Sequence, residues 1–163
     1  MPVVRVYLPV GPVDLAELAE RGWLSATPAT PATPAPFRVA YAVTPELARR
    51  MPGHDVEDLE YAAFSDAVAA AGAARLPAGD PADRRVVIAA DVDPEWLSAT
   101  EPTSEPDAIC AVELTEPVPL ARVASFHVDE RGGSTGDVGA AASVDALLWY
   151  DATELDEVRG FLV

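Results

Sequence analysis

Two aspartates, Asp91 and Asp93, stand where an apolar run from Arg85 to Val92 ends. Strand C-termini are where α/β enzymes place catalytic carboxylates, and Asp-x-Asp pairs hold Mg2+ in phosphoryl and glycosyl transfer. The plain alternative makes Asp93 a helix cap and Asp91 a solvated strand-end residue. The two histidines, His54 and His127, offer a second chemistry. His127 and Asp129 lie two apart on one strand face, and His54 precedes Asp55 and Glu57, so a two-His-plus-carboxylate metal site follows if those segments meet. A third group, Glu57, Asp58, Glu60 and Tyr61, opens a helix. The helix dipole stabilises carboxylates there without further purpose, but Glu57, Glu60 and Tyr61, joined by Glu95, Glu101 and Glu105, could form an acidic recognition patch.

Other chemistries fail on residue type. Gly132-Gly-Ser134-Thr-Gly136 has the Gly-x-Ser-x-Gly form, but no strand-turn-helix surrounds it and both histidines precede the serine, the reverse of the order that nucleophile elbow needs. The Asp91 and Asp93 pair shares only its form with the haloacid dehalogenase motif, because Pro94 and Glu95 follow and the chain contains no lysine to touch a phosphate. All 11 basic residues are arginines, which also excludes a Walker loop and a Schiff-base lysine. Asn and Gln are absent too, removing amide oxyanion donors. Cys110, the only cysteine, reads as a reduced thiol in the apolar core, and no cofactor is expected. Trp23, Trp96 and Trp149 read as core or edge packing, although Trp149 with Tyr150 could line a groove.

The charge is lopsided. With 27 acidic against 11 basic side chains the chain carries −16, which repels a nucleic-acid backbone and an anionic membrane surface alike. Residues 1–54 hold four acids and five arginines, so the excess lies wholly beyond them; Asp91 to Glu116 alone has eight acids and no arginine. Met1 to Pro12 is apolar but lacks a basic flank and meets Asp14, Glu17 and Glu20, so neither a signal peptide nor a spanning helix is expected, and the cytoplasm is the expected location.

Positioning these residues falls to short elements, as 16 prolines dictate. Val3 to Leu8 is β-branched and aromatic and predicts a strand. Asp14 with Glu17 predicts a capping box for a two-turn helix that Gly22 ends. Phe37 to Val43 alternates, which predicts a strand with Phe37, Val39, Tyr41 and Val43 on its buried side. Thr44 and Pro45 cap a short helix, and Asp55 and Asp58 start a long one whose stripe of Val56, Leu59, Ala63, Phe64, Ala67, Val68 and Ala71 runs to about Leu76. Arg85 to Val92 suits a central strand covered on both faces. Ala108 to Leu114, Val123 to Asp129 and Leu147 to Tyr150 predict further strands, and Asp151 with Glu154 caps a terminal helix. The Thr-Pro-Ala repeat at 25–36 and the glycine-rich stretch at 131–139 are expected to be flexible. The sum is a single α+β domain over 1–163: a mixed sheet of about five to six strands with helices mainly on one face.

At Arg5-Val-Tyr-Leu-Pro, Tyr41-Ala-Val-Thr-Pro, Asp58-Leu-Glu-Tyr-Ala-Ala, Arg84-Arg-Val-Val-Ile-Ala-Ala-Asp-Val, Val118-Pro-Leu-Ala-Arg-Val and Leu148-Trp-Tyr, the chain resembles an uncharacterised family of small actinobacterial proteins. That resemblance implies a cytoplasmic bacterial protein of one intact domain and transfers no activity, cofactor or site residue. The charge layout favours a non-enzymatic interaction or regulatory domain that docks a basic partner protein. The alternative is a small carboxylate-dependent hydrolase or transferase, with or without Mg2+, built on Asp91 and Asp93 with Glu60 and His127 as further candidates.

Overall fold

Apolar β-branched runs alternate with proline- and aspartate-capped helices along the chain, and in the computed structural model residues 2–28, 37–73, 84–99, 109–129 and 147–163 are described. Strand β1 (Val4–Val10) leads into helix α1 (Pro12–Arg21), which Gly22 closes in the left-handed conformation at φ +78°. The helix starts two residues before Asp14. Gly11 is the N-cap, and the Asp14 carboxylate accepts the Gly11 N–H at 2.9 Å, so Asp14 is the reaching-back residue and not the cap. Strands β2 (Trp23–Leu24) and β3 (Arg38–Ala42) follow. Helix α2 (Pro45–Arg50) is capped by Thr44, whose hydroxyl accepts the Leu47 N–H. The long helix α3 (Val56–Ala73) precedes β4 (Val86–Val92) and a 3-10 turn at Pro94–Trp96. Strands β5 (Leu97–Ala99), β6 (Ala111–Leu114), β7 (Val118–Pro119), β8 (Val123–Asp129) and β9 (Leu147–Asp151) come next. Helix α4 (Leu155–Gly160) completes this α+β fold.

Seven strands form the main sheet in the order β5-β6-β3-β1-β4-β8-β9, with β2 and β7 paired separately. That exceeds the expected five to six, and every pairing in the main sheet is antiparallel, so the sheet is not mixed. Short strands such as Leu97–Ala99 carry too few residues to show a period, which is why the sequence pattern misses them.

Helices cover both faces, correcting the one-sided expectation. Leu15 and Leu18 of α1 and Leu155 and Val158 of α4 pack with Leu8, Ile88, Val92 and Phe126 on one side. Leu47 of α2 and Leu59, Ala63, Ala67 and Val68 of α3 pack with Tyr7, Val87, Ala89 and Cys110 on the other. Strand β4 is buried on both faces, as an unbroken apolar run requires. Strand β3 reverses its expected sides: Arg38, Ala40 and Ala42 are buried, while Phe37 is exposed and Val39 and Tyr41 are half-buried. Arg38 can sit inside because Asp14 meets its guanidinium at 2.8 Å and the Ser25 carbonyl accepts its Nε–H. A bulge where β4 and β8 slip register beside Ala89 and Ala90 turns Val123 to the side of Phe126 and Val128, away from Ser125 and His127.

Candidate functional site

The polar residues gather on the α3 face of the sheet, at the end where β1 and β8 begin and β4 and β9 finish. Register sets this up: Arg5 of β1 lies opposite Asp91 of β4. Their side chains meet through two contacts, Nε to Oδ1 at 2.7 Å and Nη2 to Oδ2 at 3.0 Å, a bidentate charge-assisted pair. The hydrogen bond to Asp91 raises the Arg5 pKa against the opposing effect of burial, so the guanidinium stays charged. Tyr7 follows two residues on, its phenol pushed up by burial first and by the nearby Glu60 carboxylate second.

On β8, Ser125 and His127 share this face, and the Ser125 hydroxyl and His127 Nε2 are 3.1 Å apart. Phe64 of α3 packs across both partners of the cluster, 4.7 Å from the His127 ring and 5.3 Å from the Tyr7 ring. Burial, with the Arg5 cation adding to it, pulls His127 down to about 4, so the imidazole is neutral at pH 7. A neutral imidazole beside a hydroxyl is the beginning of a nucleophile-base pair. Here it goes no further: Ser125 is 5% exposed, and the nearest carboxylate on β4, Asp91, is held by Arg5 and does not orient the ring. Among the described residues every buried side-chain polar atom has a hydrogen-bond partner.

The residues singled out from sequence separate accordingly. Asp91 is not a solvated strand end, since it pairs with Arg5; Asp93 is not a side-chain helix cap, since it makes no cap hydrogen bond and instead meets Arg122 at 3.3 Å. Each carboxylate of the Asp-x-Asp thus has its own arginine. His54 contacts Asp58 at 3.1 Å on the exposed start of α3, Asp129 pairs with buried Arg85 at 2.6 Å, and His127 contacts Ser125. No group of three or more His, Cys, Asp or Glu able to hold a metal occurs among the described residues. Cys110 is buried, and burial first, then the Asp66 carboxylate, pushes its thiol up to about 12, so it is inert. Ser134, Glu101 and Glu105, most of the Thr-Pro-Ala repeat and the glycine-rich stretch lie outside the described residues.

Glu60 is close enough to Arg5 and Tyr7 to act on both, which ties the start of α3 to the end of β4. Glu57 and Tyr61 are exposed on the same helix, and Glu95 is exposed in the turn that follows Asp93. Sequence reasoning passed over Arg5, Tyr7, Phe64 and Ser125 as a group. Arg5 did carry a signal, a charge inside a β-branched run, but its partner is 86 residues away.

No helix among the described residues is long and apolar enough to cross a membrane. Residues 4–158 match the family of unknown function DUF6912, and the chain belongs to that family. No curated protein and no solved structure matches it.

Proposed function

We propose that this member of a family of unknown function is a docking domain that binds a basic partner protein through its acidic face. The observation that carries the reading is how the arginines are used. Each arginine among the described residues already has a partner inside the chain. Arg5, Arg21, Arg38, Arg49, Arg50, Arg85, Arg122 and Arg159 pair with carboxylates, and Arg84 lies over the Phe161 ring. Glu57 and Glu95, exposed at the end of the sheet where Arg5 and Asp91 meet, make no ion pair or hydrogen bond among the described residues. The surplus charge is therefore left for an outside cation, and such a surface speeds encounter with a basic protein. A carboxylate-dependent hydrolase or transferase would need Asp91 and Asp93 available to substrate or metal, and Arg5 and Arg122 occupy them.

The absence of lysine supplies a clean test. A zero-length carbodiimide crosslinker can join this chain's carboxylates to a partner's lysines, while internal links are limited to the N-terminal amine. The full chain, incubated in lysate and crosslinked, should yield links from Glu57, Glu60 or Glu95 to lysines of a basic protein, and a Glu57→Gln, Glu95→Gln double variant, which cannot itself link at those two positions, should also lose the links from Glu60. Recovery of no lysine-bearing partner at these residues, or equal recovery by the double variant, would overturn the reading.

A further inference from the structure

The three tryptophans are treated differently by the chain. Arg21 lies over the Trp23 ring at 5.3 Å, and Arg122 lies over the Trp96 ring, also at 5.3 Å. Trp149 is the most exposed of the three, at 61%, and has no arginine over it among the described residues. It sits on β9, which among the described residues is the outermost strand of the sheet on its side and pairs with β8 alone. Leu148, 41% exposed, projects from the opposite face of the same strand. An edge strand with large apolar side chains on both faces, no lysine, proline or arginine, and a single charge at its end, Asp151, has little of the usual protection against pairing.

The surroundings continue this edge inward. Trp149 lies opposite His127 in the β8–β9 register, His127 packs under Phe64, and Tyr61 stands one turn before Phe64 on α3, 53% exposed. Aromatic side chains thus lead from the helix across β8 to the β9 edge. Carboxylates accompany them: Glu57 and Glu60 on α3, and Asp151 two residues beyond Trp149 on the same face of β9.

We propose that the β9 edge binds an extended, arginine- or lysine-bearing segment of the basic partner as an added antiparallel strand, with a cationic side chain of that segment over the Trp149 ring. This rests on the docking reading above and names the place and mode of contact. Main-chain hydrogen bonds to β9 give the register, and alternate side chains fall on the Trp149 and Leu148 sides. The cation completes at Trp149 the arrangement the chain makes for itself at Trp23 and Trp96, with neighbouring carboxylates adding attraction. A second copy of this chain is a poor occupant, because two partners of −16 each repel and neither β9 carries a cation to offer.

The test uses the full chain and a blocked, fluorescein-labelled decapeptide of alternating Arg and Thr, read by anisotropy at low salt. Trp149→Ala should weaken binding roughly tenfold or more, as loss of a buried aromatic anchor does, while Trp149→Phe retains most of it. Methylating the alternate peptide amides that face β9 should abolish binding, and amide exchange in Leu147–Asp151 should slow in the complex. Far-UV circular dichroism of the variants checks that the fold is kept. Binding that is unchanged by Trp149→Ala yet weakened by Glu57→Gln and Glu95→Gln overturns the edge site and leaves acidic docking standing. A wild-type chain that does not bind the peptide, or binds it with no protection in β9, also overturns the edge site, and the carbodiimide experiment then judges docking separately.

Discussion

The two faces of the sheet are built from the same strands but to different standards. Beneath α1 and α4 the packing is mostly hydrocarbon, with Leu8, Ile88, Leu114 and Phe126 wholly enclosed and one buried ion pair, Arg38–Asp14, on the same side. Beneath α3 the helix contributes small residues, Ala63 and Ala67, and the sheet answers with Tyr7, Ser125, His127 and two ion pairs at opposite ends of β4, Arg5–Asp91 and Arg85–Asp129. Period-two alternation lets one strand serve both purposes, since neighbouring residues face opposite ways. Strand β8 shows it within a few residues: Phe126 and Val128 belong to the hydrocarbon side, Ser125 and His127 to the polar one. The larger buried cluster is on the first face, and the second carries two ion pairs and the aromatic row.

The sharpest test of that division is a pair of phenylalanines. Phe126→Ala, at a fully buried site, should cost about 3–5 kcal/mol in urea unfolding. Phe64→Ala, at a half-buried site that only Tyr7 and His127 face with rings, should cost about 1–2 kcal/mol. Equal losses would mean that both faces hold the fold equally and that the contrast is only chemical.

Ion pairs repeat the contrast with smaller effects. Asp14→Ala leaves the Arg38 guanidinium, 4% exposed, without its carboxylate and also removes the acceptor for the Gly11 N–H. Breaking such a buried pair from one side should cost about 3 kcal/mol. Asp91→Ala at the candidate site breaks a pair whose side chains are about one-third exposed, so water can replace the lost partner and about 1 kcal/mol is expected. Thermal unfolding of the two variants should rank them in that order.

Much of this was legible in the sequence, and the exceptions share a cause. The β4 run, the Thr44-Pro45 cap, the Gly22 stop, and Leu59, Ala63, Ala67 and Val68 of the α3 stripe are local patterns, and all appear in the structure. Val56 heads the same stripe yet is 62% exposed, at the first residue of the helix. The errors arise where a distant residue decides the outcome. Arg38 looks like the exposed side of its strand until Asp14, 24 residues earlier, neutralises it. Asp91 and Asp93 look like a free pair until Arg5 and Arg122 arrive from β1 and from the turn before β8. Val123 leaves the side of Ser125 and His127, where strict alternation puts it, only because the bulge beside Ala89 and Ala90 resets the phase of β8.

The half-buried imidazole of His127 puts a pH dependence on the polar face. His127 titrates near its ordinary 6.5 in the unfolded chain but at about 4 when folded. Between those values the unfolded state binds the extra proton, so stability is fully present above about pH 6.5 and falls as the pH drops toward 4. The loss assignable to this one group, discounted for its partial exposure, is on the order of 2 kcal/mol. Urea unfolding of His127→Gln at pH 7 and pH 4.5 should show a smaller loss than wild type by about that amount. Identical losses would place the acid sensitivity elsewhere.

The smallest effect on stability is expected at Trp149, and that is what makes it informative. Its ring is 61% exposed on an edge strand, and the nearest groups across the register, His127 and Ser125, already satisfy each other. Trp149→Ala should therefore change unfolding free energy by no more than about 0.5 kcal/mol, the range of an ordinary surface substitution. A large exposed aromatic on an edge strand whose one charge is Asp151 lowers solubility unless something else covers it. Should Trp149→Ala instead destabilise the chain by 2 kcal/mol or more on this scale, the ring would be a structural element of the polar face, and the distinction between a face that folds and a face that binds would have to be redrawn at β9.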